Sequence, residues 1–168
     1  QSIPSGFFDK CESAQSMEYT FSYCVGLTAI PSGLFKNLKN INSFVGTFYK
    51  CSSVTSIPSS LFDGCKGVTD FCATFCNCVN IAHIPESLFE DCSEVLNFNE
   101  TFSGCTSITA LPEILFRNCT KALSFRGTFS GCTAITAIPE HIFLHNTKVT
   151  DFSYVFSGTS IVIVLKNI

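Results

Sequence analysis

The recurring module of this chain is Phe75-Cys-Asn-Cys-Val-Asn-Ile-Ala-His-Ile-Pro-Glu-Ser-Leu-Phe89, and its fixed point is Pro85 in an Ile-Pro pair. Every other proline in the 168 residues occupies the same place, and each lies 27 residues after the one before. The six prolines are Pro4, Pro31, Pro58, Pro85, Pro112 and Pro139. A fixed period of this length, without insertion or deletion, is typical of repeat architectures that stack one structural unit many times.

Phenylalanine fills three positions of the repeat when each repeat is numbered from its proline as position 0. Position 4 holds Phe8, Phe35, Phe62, Phe89, Phe116 and Phe143. Position 13 holds Met17, Phe44, Phe71, Phe98, Phe125 and Phe152. Position 17 holds Phe21, Phe48, Phe75, Phe102, Phe129 and Phe156. We expect equivalent rings to stack between repeats, because a single unit cannot bury its own apolar edge but stacked units share a continuous core.

Within each repeat the spacing changes character. Segments such as Ile135–Pro139 and Val68–Phe71 are short and β-branched, which predicts strands. Between them lie Leu61–Cys65 and Thr128–Cys132, where Phe and Cys are three residues apart, which predicts one turn of 3₁₀ or α-helix. A plain β-helix would show fewer helical turns, and a TPR or HEAT array would show longer helical periodicity. The sequence therefore predicts a right-handed solenoid of the leucine-rich-repeat type, with about six coils and short parallel strands.

We expect one solenoid domain over residues 1–168, with repeats that begin near the six prolines. The last repeat is degenerate: Asn146 and Thr159 replace cysteine, Val155 replaces threonine, and Ile161–Leu165 replaces the usual Thr-x-Ile-Pro. Degeneracy of this kind in a terminal repeat is typical of a cap. The sequence therefore predicts that the last repeat caps the C-terminal end of the solenoid.

Composition excludes several classes of function. Charged residues make up 14% of the chain, the net charge is −3 and the hydrophobic fraction is 46%, which argues against disorder and against a polybasic surface. No apolar run approaches the roughly 20 residues that span a bilayer. We therefore expect neither a nucleic-acid partner nor membrane insertion. The chain opens at Gln1 inside a repeat, and we interpret it as part of a longer protein whose signal and anchor lie outside it.

The pattern Ala/Thr-Phe-x-x-Cys-x-x-Leu-Thr-x-Ile-Pro resembles the repeat of the BspA-like leucine-rich-repeat proteins. Val68–Cys78 (Val-Thr-Asp-Phe-Cys-Ala-Thr-Phe-Cys-Asn-Cys) is similar to the related repeat of bacterial surface lipoproteins. The resemblance covers all six repeats but departs in the period, which is somewhat shorter in the family, and the excess lies in the Leu-Phe-x-x-Cys turn. It implies a cell-surface or secreted adhesion and recognition module without catalytic residues.

Nine of the eleven cysteines fall into two columns. Position 7 holds Cys11, Cys65, Cys92 and Cys119, and position 20 holds Cys24, Cys51, Cys78, Cys105 and Cys132. Stacked neighbours would have parallel Cβ vectors about 4.8 Å apart, which is beyond the usual Cβ–Cβ distance of a disulfide. We therefore expect reduced, buried thiols that donate weakly to turn carbonyls.

Cys72 and Cys76 lie outside these columns, at positions whose residues vary, which suggests exposed or partly exposed sites. A local disulfide, a metal site with Cys78 and unpaired thiols all remain open, although the Cys-x3-Cys-x-Cys spacing matches no usual metal motif. We expect no metal and no cofactor.

Two polar columns bear on function. The threonines at position 16 are expected to cap the turn that follows, and they are Thr20, Thr47, Thr74, Thr101 and Thr128. Directly after the prolines stand Ser5, Ser32 and Ser59, and then Glu86, Glu113 and Glu140. Three stacked glutamates would repel one another unless solvated or neutralised, so this column is either a solvated acidic face or a patch for a cation or basic partner.

The strand edge beside the glutamates completes the predicted partner-binding face. It carries His83, Thr55, Ser56 and Thr109. His141 and His145 are interpreted as ordinary exposed polar residues.

No Ser/His/Asp spacing, phosphate loop or paired-carboxylate pattern stands apart from the repeat, so the chain is not expected to be an enzyme. The leading hypothesis is a noncatalytic cell-surface or secreted module that recognises an extracellular protein or glycan through the solenoid face. The alternative is a structural stalk, fibre or virion component, in which the solenoid sets only length and stiffness. The sequence sets no oligomeric state.

Overall fold

The structure is a computed structural model, and it describes residues 2–162. Within them no residue is helical, and the only β-structure is a set of isolated parallel bridges. Five of these connect position 12 of successive repeats: Ser16–Ser43, Ser43–Asp70, Asp70–Asn97, Asn97–Ser124 and Ser124–Asp151. A sixth joins Ser2 to Ala29. Residues 163–168, and with them most of the Ile161–Leu165 run of the predicted cap, lie outside the described residues.

A ladder of backbone hydrogen bonds stacks residues that are one period apart. The N–H groups at positions 13, 15, 17 and 19 donate to the carbonyls at positions 12, 14, 16 and 18 of the following repeat, with N–O distances of 2.7–3.0 Å. Phe48 donates to Thr74 and Phe75 donates to Thr101, both at 2.8 Å. The same four bonds recur at all five junctions between the described repeats, so the repeats form a stacked solenoid.

The N–H groups at positions 16, 18 and 20 bond within their own repeat. Thr74, Cys76 and Cys78 each donate to the carbonyl three residues back, at 3.2, 3.1 and 3.0 Å. Backbone φ is positive at positions 15 and 19 of every repeat. Position 15 holds Tyr19, Gly46, Ala73, Glu100, Gly127 and Tyr154, and position 19 holds Tyr23, Lys50, Asn77, Gly104, Gly131 and Gly158. A positive φ at the third residue is what a type II turn requires, so each repeat uses successive turns here.

The predicted helical turns are therefore wrong. A 3₁₀-helix needs consecutive N–H groups bonded three residues back, whereas in Thr128–Cys132 every second N–H binds the next repeat instead. In Leu61–Cys65 the three-back bonds likewise alternate, at Leu61, Asp63 and Cys65. The predicted strands are reduced to single bridges. Ile135–Pro139 forms no bridge with another described residue. The right-handed coiling and the single-domain boundaries stay predictions.

Stacked phenylalanine rings form the core, as the columns predict. Twelve rings have less than 2% of their surface exposed, and they are Phe35, Phe44, Phe48, Phe62, Phe71, Phe75, Phe89, Phe98, Phe102, Phe116, Phe125 and Phe129. Phe75 lies between Phe48 and Phe102, with centroids 5.5 and 5.6 Å away and interplanar angles of 5° and 7°. Rings of different columns meet at steep angles, such as 62° between Phe62 and Phe71. Offset stacking and edge contacts are the arrangements that aromatic quadrupoles favour.

Threonine hydroxyls tie each junction together in the core. Thr74 Oγ1 lies 2.7 Å from the Phe71 carbonyl of its own repeat and 2.9 Å from the Phe44 carbonyl of the preceding one. Because a hydroxyl has one proton, it is shared between these two acceptors. The expectation that these threonines cap the turn that follows is wrong, since they bond backwards to phenylalanine carbonyls.

The position-20 thiols make a parallel contact. Cys78 Sγ donates to the Phe48 carbonyl at 3.0 Å, and Cys105 Sγ donates to the Phe75 carbonyl at 3.1 Å. The predicted role as buried, weak donors to carbonyls is confirmed for Cys51, Cys78, Cys105 and Cys132. The predicted burial is wrong for Cys11 and Cys24, which are exposed in the first repeat, where a described repeat packs on one side only. Asn146, which replaces cysteine at position 7 of the last repeat, reaches the Phe116 and Cys119 carbonyls through Nδ2 at 3.1 and 2.9 Å.

Replacing Phe75 with alanine tests the ring column. We expect Phe75→Ala to lower the free energy of unfolding by about 3–5 kcal/mol, because it removes a ring that is stacked on both sides. Phe7, which is 56% exposed, is the matched control, and Phe7→Ala should cost less than about 1 kcal/mol. Urea titrations followed by circular dichroism measure both. Equal losses would contradict a core held by the stacked columns.

Candidate functional site

The predicted face is solvent-exposed throughout the structure. Its residues occupy positions 1, 24 and 25, on either side of the prolines, and all of them are exposed: Thr55, Ser56, His83, Glu86, Thr109, Glu113 and Glu140. Among the described residues, no hydrogen bond or ion pair joins His83 or the three hydroxyl residues to the glutamates. The structure therefore places these residues on exposed positions beside the prolines, but within residues 2–162 it joins none of them to another by a hydrogen bond or ion pair.

Glu86 lies on the wall of a groove of about 290 Å³ that crosses the third, fourth and fifth repeats. The groove has an apolar floor and a polar rim, formed by Ser59, Pro85, Glu86, Ser87, Phe89, Glu90, Ile114, Leu115, Arg117 and Asn118. A second groove of about 410 Å³ continues from it, shares Glu90, Arg117 and Asn118, and adds Lys66, Asp91, Ser93 and Thr120. The two together form the candidate site, which we call the charged groove.

The ionic groups of the charged groove are not paired with one another. Within residues 2–162, no carboxylate oxygen lies within 4.0 Å of a Lys66 or Arg117 nitrogen, and Glu86 and Glu90 are likewise without a cation. Asp91 accepts the Gly64 N–H at 2.7 Å. The free carboxylates and the free cations are therefore available to a ligand that carries complementary groups.

The glutamate column is partly neutralised by a histidine that the sequence analysis did not assign to the site. His141 Nδ1 donates to Glu113 Oε1 at 2.5 Å, across 28 residues. The hydrogen bond with Glu113 raises the pKa of His141, and the charge of nearby Glu140 raises it further. His141 is at position 2 of the sixth repeat, and Glu113 is at position 1 of the fifth. Stacked repeats place these two positions close together, so a comparison of adjacent positions could have found the pair. The column is therefore not a run of three free carboxylates.

The cysteines offer little nucleophilic chemistry. Burial raises the pKa of Cys51 to about 11 and those of Cys65 and Cys132 to about 12, so these thiols stay protonated at neutral pH. Cys72 is partly exposed, but Cys76 is buried, contrary to the expectation for its variable position. Cys76 is covered by its neighbours: Asn77 Nδ2 lies 3.3 Å from its sulfur.

Burial also raises the pKa values of Cys72 and Cys76 to about 11. Both are free thiols in the structure. In the part of the chain that the structure describes, no three His, Cys, Asp or Glu side chains converge as a metal site would require. The same residues contain no helix with the length and apolarity to cross a bilayer.

Comparison with known proteins bears on the fold alone. No protein-family profile matches the sequence, and no curated protein matches it. Among solved structures, the chain is similar to one of the Drosophila Toll–Spatzle complex (glycosylated form), with a TM-score of 0.60, 17% identity and coverage of 94% of this chain and 21% of that one. That likeness supports the assignment of the fold as a repeat solenoid.

Two bacterial structures match more weakly. A leucine-rich repeat protein from Eubacterium ventriosum gives a TM-score of 0.37 at 18% identity, over 98% of this chain and 44% of that one. The leucine-rich repeat protein of T. pallidum gives 0.30 at 22% identity, over 73% and 61%. The chain therefore spans less than two thirds of the length of each of these three proteins.

Thiol labelling tests the burial of the cysteine columns. With a chromogenic disulfide reagent at neutral pH, we expect a fast phase from Cys11 and Cys24, the two exposed thiols, and slow reaction of the others. In denaturant all eleven cysteines should react. A denatured count two short would indicate a disulfide between Cys72 and Cys76, and a fast phase that included the column thiols would contradict their burial.

The ion pair of His141 gives a pH dependence of known sign. Because its pKa is raised in the folded chain, the pair contributes stability that is fully present below the ordinary value of 6.5 and is lost as the pH rises through the folded pKa. An NMR titration should place the His141 midpoint above 6.5, and Glu113→Gln should lower it. Glu86→Gln is the control and should leave it in place. An unshifted midpoint in the unmodified chain would refute the pair.

Proposed function

We propose that this chain is a noncatalytic binding module that recognises an extracellular protein or glycan through one face of its solenoid. One observation carries the proposal. The charged groove holds unpaired carboxylates and unpaired cations over an apolar floor, on a backbone that the ladder keeps in register. Charges that have no partner within a protein are available to bind an external ligand.

The residues of the charged groove favour binding over catalysis. Glu86, Glu90 and Arg117 are exposed at the rim of the groove, where a side chain is open to contact with an external ligand. Glu90 and Arg117 occupy the same position of successive repeats with opposite charges, and Glu86 is the first glutamate in a column that begins with serines, whereas the core columns do not vary in this way. Recognition therefore resides in the residues that do not repeat.

The proposed contact surface extends from the charged groove to the exposed residues of the predicted face. Glu113 and Glu140 continue the acidic edge beyond Glu86, and His83, Thr55, Ser56 and Thr109 supply further hydrogen-bonding groups beside it. A surface of this composition suits a polar partner, either a protein or a glycan. The BspA-like resemblance supports display at a cell surface or secretion. The repeat pattern favours one solenoid domain over residues 1–168 with a C-terminal cap, and the low content of charged residues and the short apolar runs favour a role without nucleic acid or membrane insertion.

A structural stalk, fibre or virion component is the second candidate, and the regular junctions favour it. Every junction between described repeats has the same four backbone hydrogen bonds, and a body built this way is stiff along its axis. A stalk would need no particular side chain in the charged groove. The two candidates therefore differ in whether Glu86 and Arg117 matter.

A binding screen separates them. The 168-residue chain is tested against a glycan array and a panel of extracellular matrix proteins, and ligands are then titrated with Glu86→Gln and Arg117→Gln. We expect at least one of these substitutions to weaken binding about tenfold, as the loss of one charge-assisted contact would. Glu12→Gln and Lys148→Gln, both at exposed positions outside the charged groove, are the controls. A ligand whose binding neither groove substitution affects would refute the site, and no ligand at all would favour the stalk.

A further inference from the structure

The four tyrosines of the chain all lie on one lateral face of the solenoid, while nearly all phenylalanines lie in the core. They occupy positions 15, 18 and 19 of their repeats: Tyr19, Tyr23, Tyr49 and Tyr154. Tyr19, Tyr23 and Tyr154 are 56%, 60% and 65% exposed. Exposed tyrosines gathered on one face are typical of protein interaction surfaces, because a tyrosine offers apolar area and a hydroxyl at low entropic cost.

Tyr23, Tyr49 and Lys50 form a cluster at the junction of the first and second repeats. The two rings meet edge to face, with centroids 5.5 Å apart and an interplanar angle of 66°. Lys50 Nζ lies 4.9 Å from the centroid of Tyr23 and 5.3 Å from that of Tyr49, and it donates to the Tyr23 hydroxyl at 3.3 Å. We call these three residues the tyrosine–lysine cluster.

The donors of this cluster lack an anionic acceptor. Among the described residues, no carboxylate oxygen lies within 4.0 Å of Lys50 Nζ. Since the Tyr23 oxygen accepts from Lys50, its own proton is free to be donated outward. Glu18, an acidic residue of the first repeat, accepts a hydrogen bond from Ser43 at 2.7 Å. The hydrogen bond to Tyr23 also raises the pKa of Lys50, which keeps the ammonium charged.

Two residues of the cluster have a backbone conformation that glycine adopts more easily than other residues. Tyr23 and Lys50 have φ of 59° and 58°, in the left-handed region that a Cβ disfavours. The same position in the fourth, fifth and sixth repeats holds Gly104, Gly131 and Gly158. The fold therefore accepts glycine at this position, and two residues with large side chains stand in a conformation that costs them free energy. Asn77 has the same conformation at this position of the third repeat, so the positive φ belongs to the fold, and what distinguishes Tyr23 and Lys50 from the glycines is their side chains.

We propose that the tyrosine–lysine cluster is a second interaction surface, which receives a carboxylate from an acidic segment of a partner protein. The ammonium of Lys50 and the hydroxyl of Tyr23 bind the carboxylate, and the two rings pack against its methylene groups. The edge-to-face arrangement of Tyr23 and Tyr49 places apolar ring edges beside the ammonium. The partner segment that fits therefore combines acidic residues with apolar ones.

The ring geometry favours a carboxylate over a stacked ligand. A sugar or a nucleobase that stacks on tyrosine needs an open ring face. Here the ammonium of Lys50 lies over both rings, and the edge-to-face arrangement of Tyr23 and Tyr49 provides no shared flat platform. This surface is separate from the charged groove in position and opposite to its acidic wall in charge, so the proposal does not depend on the function proposed above.

A peptide titration of the full 168-residue chain tests the proposal. The probe is an acetylated, amidated hexapeptide of alternating Glu and Leu, and its control has Gln in place of Glu. Amide shifts in NMR spectra of the labelled chain should show binding of the Glu peptide around Tyr23 and Lys50, weakened by salt as an exposed charge contact is. The Gln peptide should bind at least about fivefold more weakly, since it lacks the charge-assisted bonds.

Substitution at Lys50 separates binding from folding. Lys50→Gly copies Gly104, so it should fold at least as stably as the unmodified chain while losing most affinity for the Glu peptide. Tyr23→Phe keeps the ring and should weaken binding about two- to threefold through loss of the hydroxyl, whereas Lys148→Gln should not change it. The proposal is overturned if Lys50→Gly binds normally, if it loses stability, if the Gln peptide binds equally well, or if a sulfated oligosaccharide binds and the Glu peptide does not.

Discussion

The solenoid depends on the left-handed residues at positions 15 and 19 of each repeat. Their positive φ values turn the backbone so that alternate N–H groups leave the repeat and bind carbonyls of the next one, while the others close turns within it. An ordinary helical turn would keep all of these donors to itself. The side chains that fill the core can stack only because this backbone arrangement recurs without change at each described junction.

The ladder also sets the spacing to which the core side chains are matched. Successive rings of one column lie about 5–6 Å apart, close enough for parallel, offset stacking, and this distance follows from the hydrogen-bonded separation of neighbouring repeats. Thr74 and Cys78 add side-chain donors to phenylalanine carbonyls that also accept a backbone N–H. The recurring Phe, Thr and Cys columns are thus consequences of one geometric constraint, which is why they leave little room for chemistry at those positions.

The features that depend only on the 27-residue period could be predicted from the sequence. The stacked columns and the buried cysteines such as Cys105 follow from residues 27 apart, and the structure confirms both. The predicted helical turns failed because Phe-x-x-Cys spacing fits any bond from one residue to the third before it, and only the destination of the alternate N–H groups tells the cases apart. The Glu113–His141 pair joins residues 28 apart, so a comparison confined to equal positions misses it. The position of Arg117 beside Glu86 likewise depends on how turns of different repeats lie across a groove.

The left-handed conformation also bears on which residues vary between repeats. Glycine adopts it with the lowest conformational energy, and position 19 of the last three repeats holds Gly104, Gly131 and Gly158. The first two repeats hold Tyr23 and Lys50 there instead, although their backbone has the same conformation and makes the same bonds to the next repeat. The ladder requires this conformation at both residues, and Ala73, Asn77 and Glu100 adopt it as well, so the local cost is shared by the whole fold. What distinguishes Tyr23 and Lys50 is their side chains, which hold a cation over two rings, a weak contact at a solvated site. The charge of Lys50, which no carboxylate of the described residues neutralises, is therefore the property that its glycine counterparts lack.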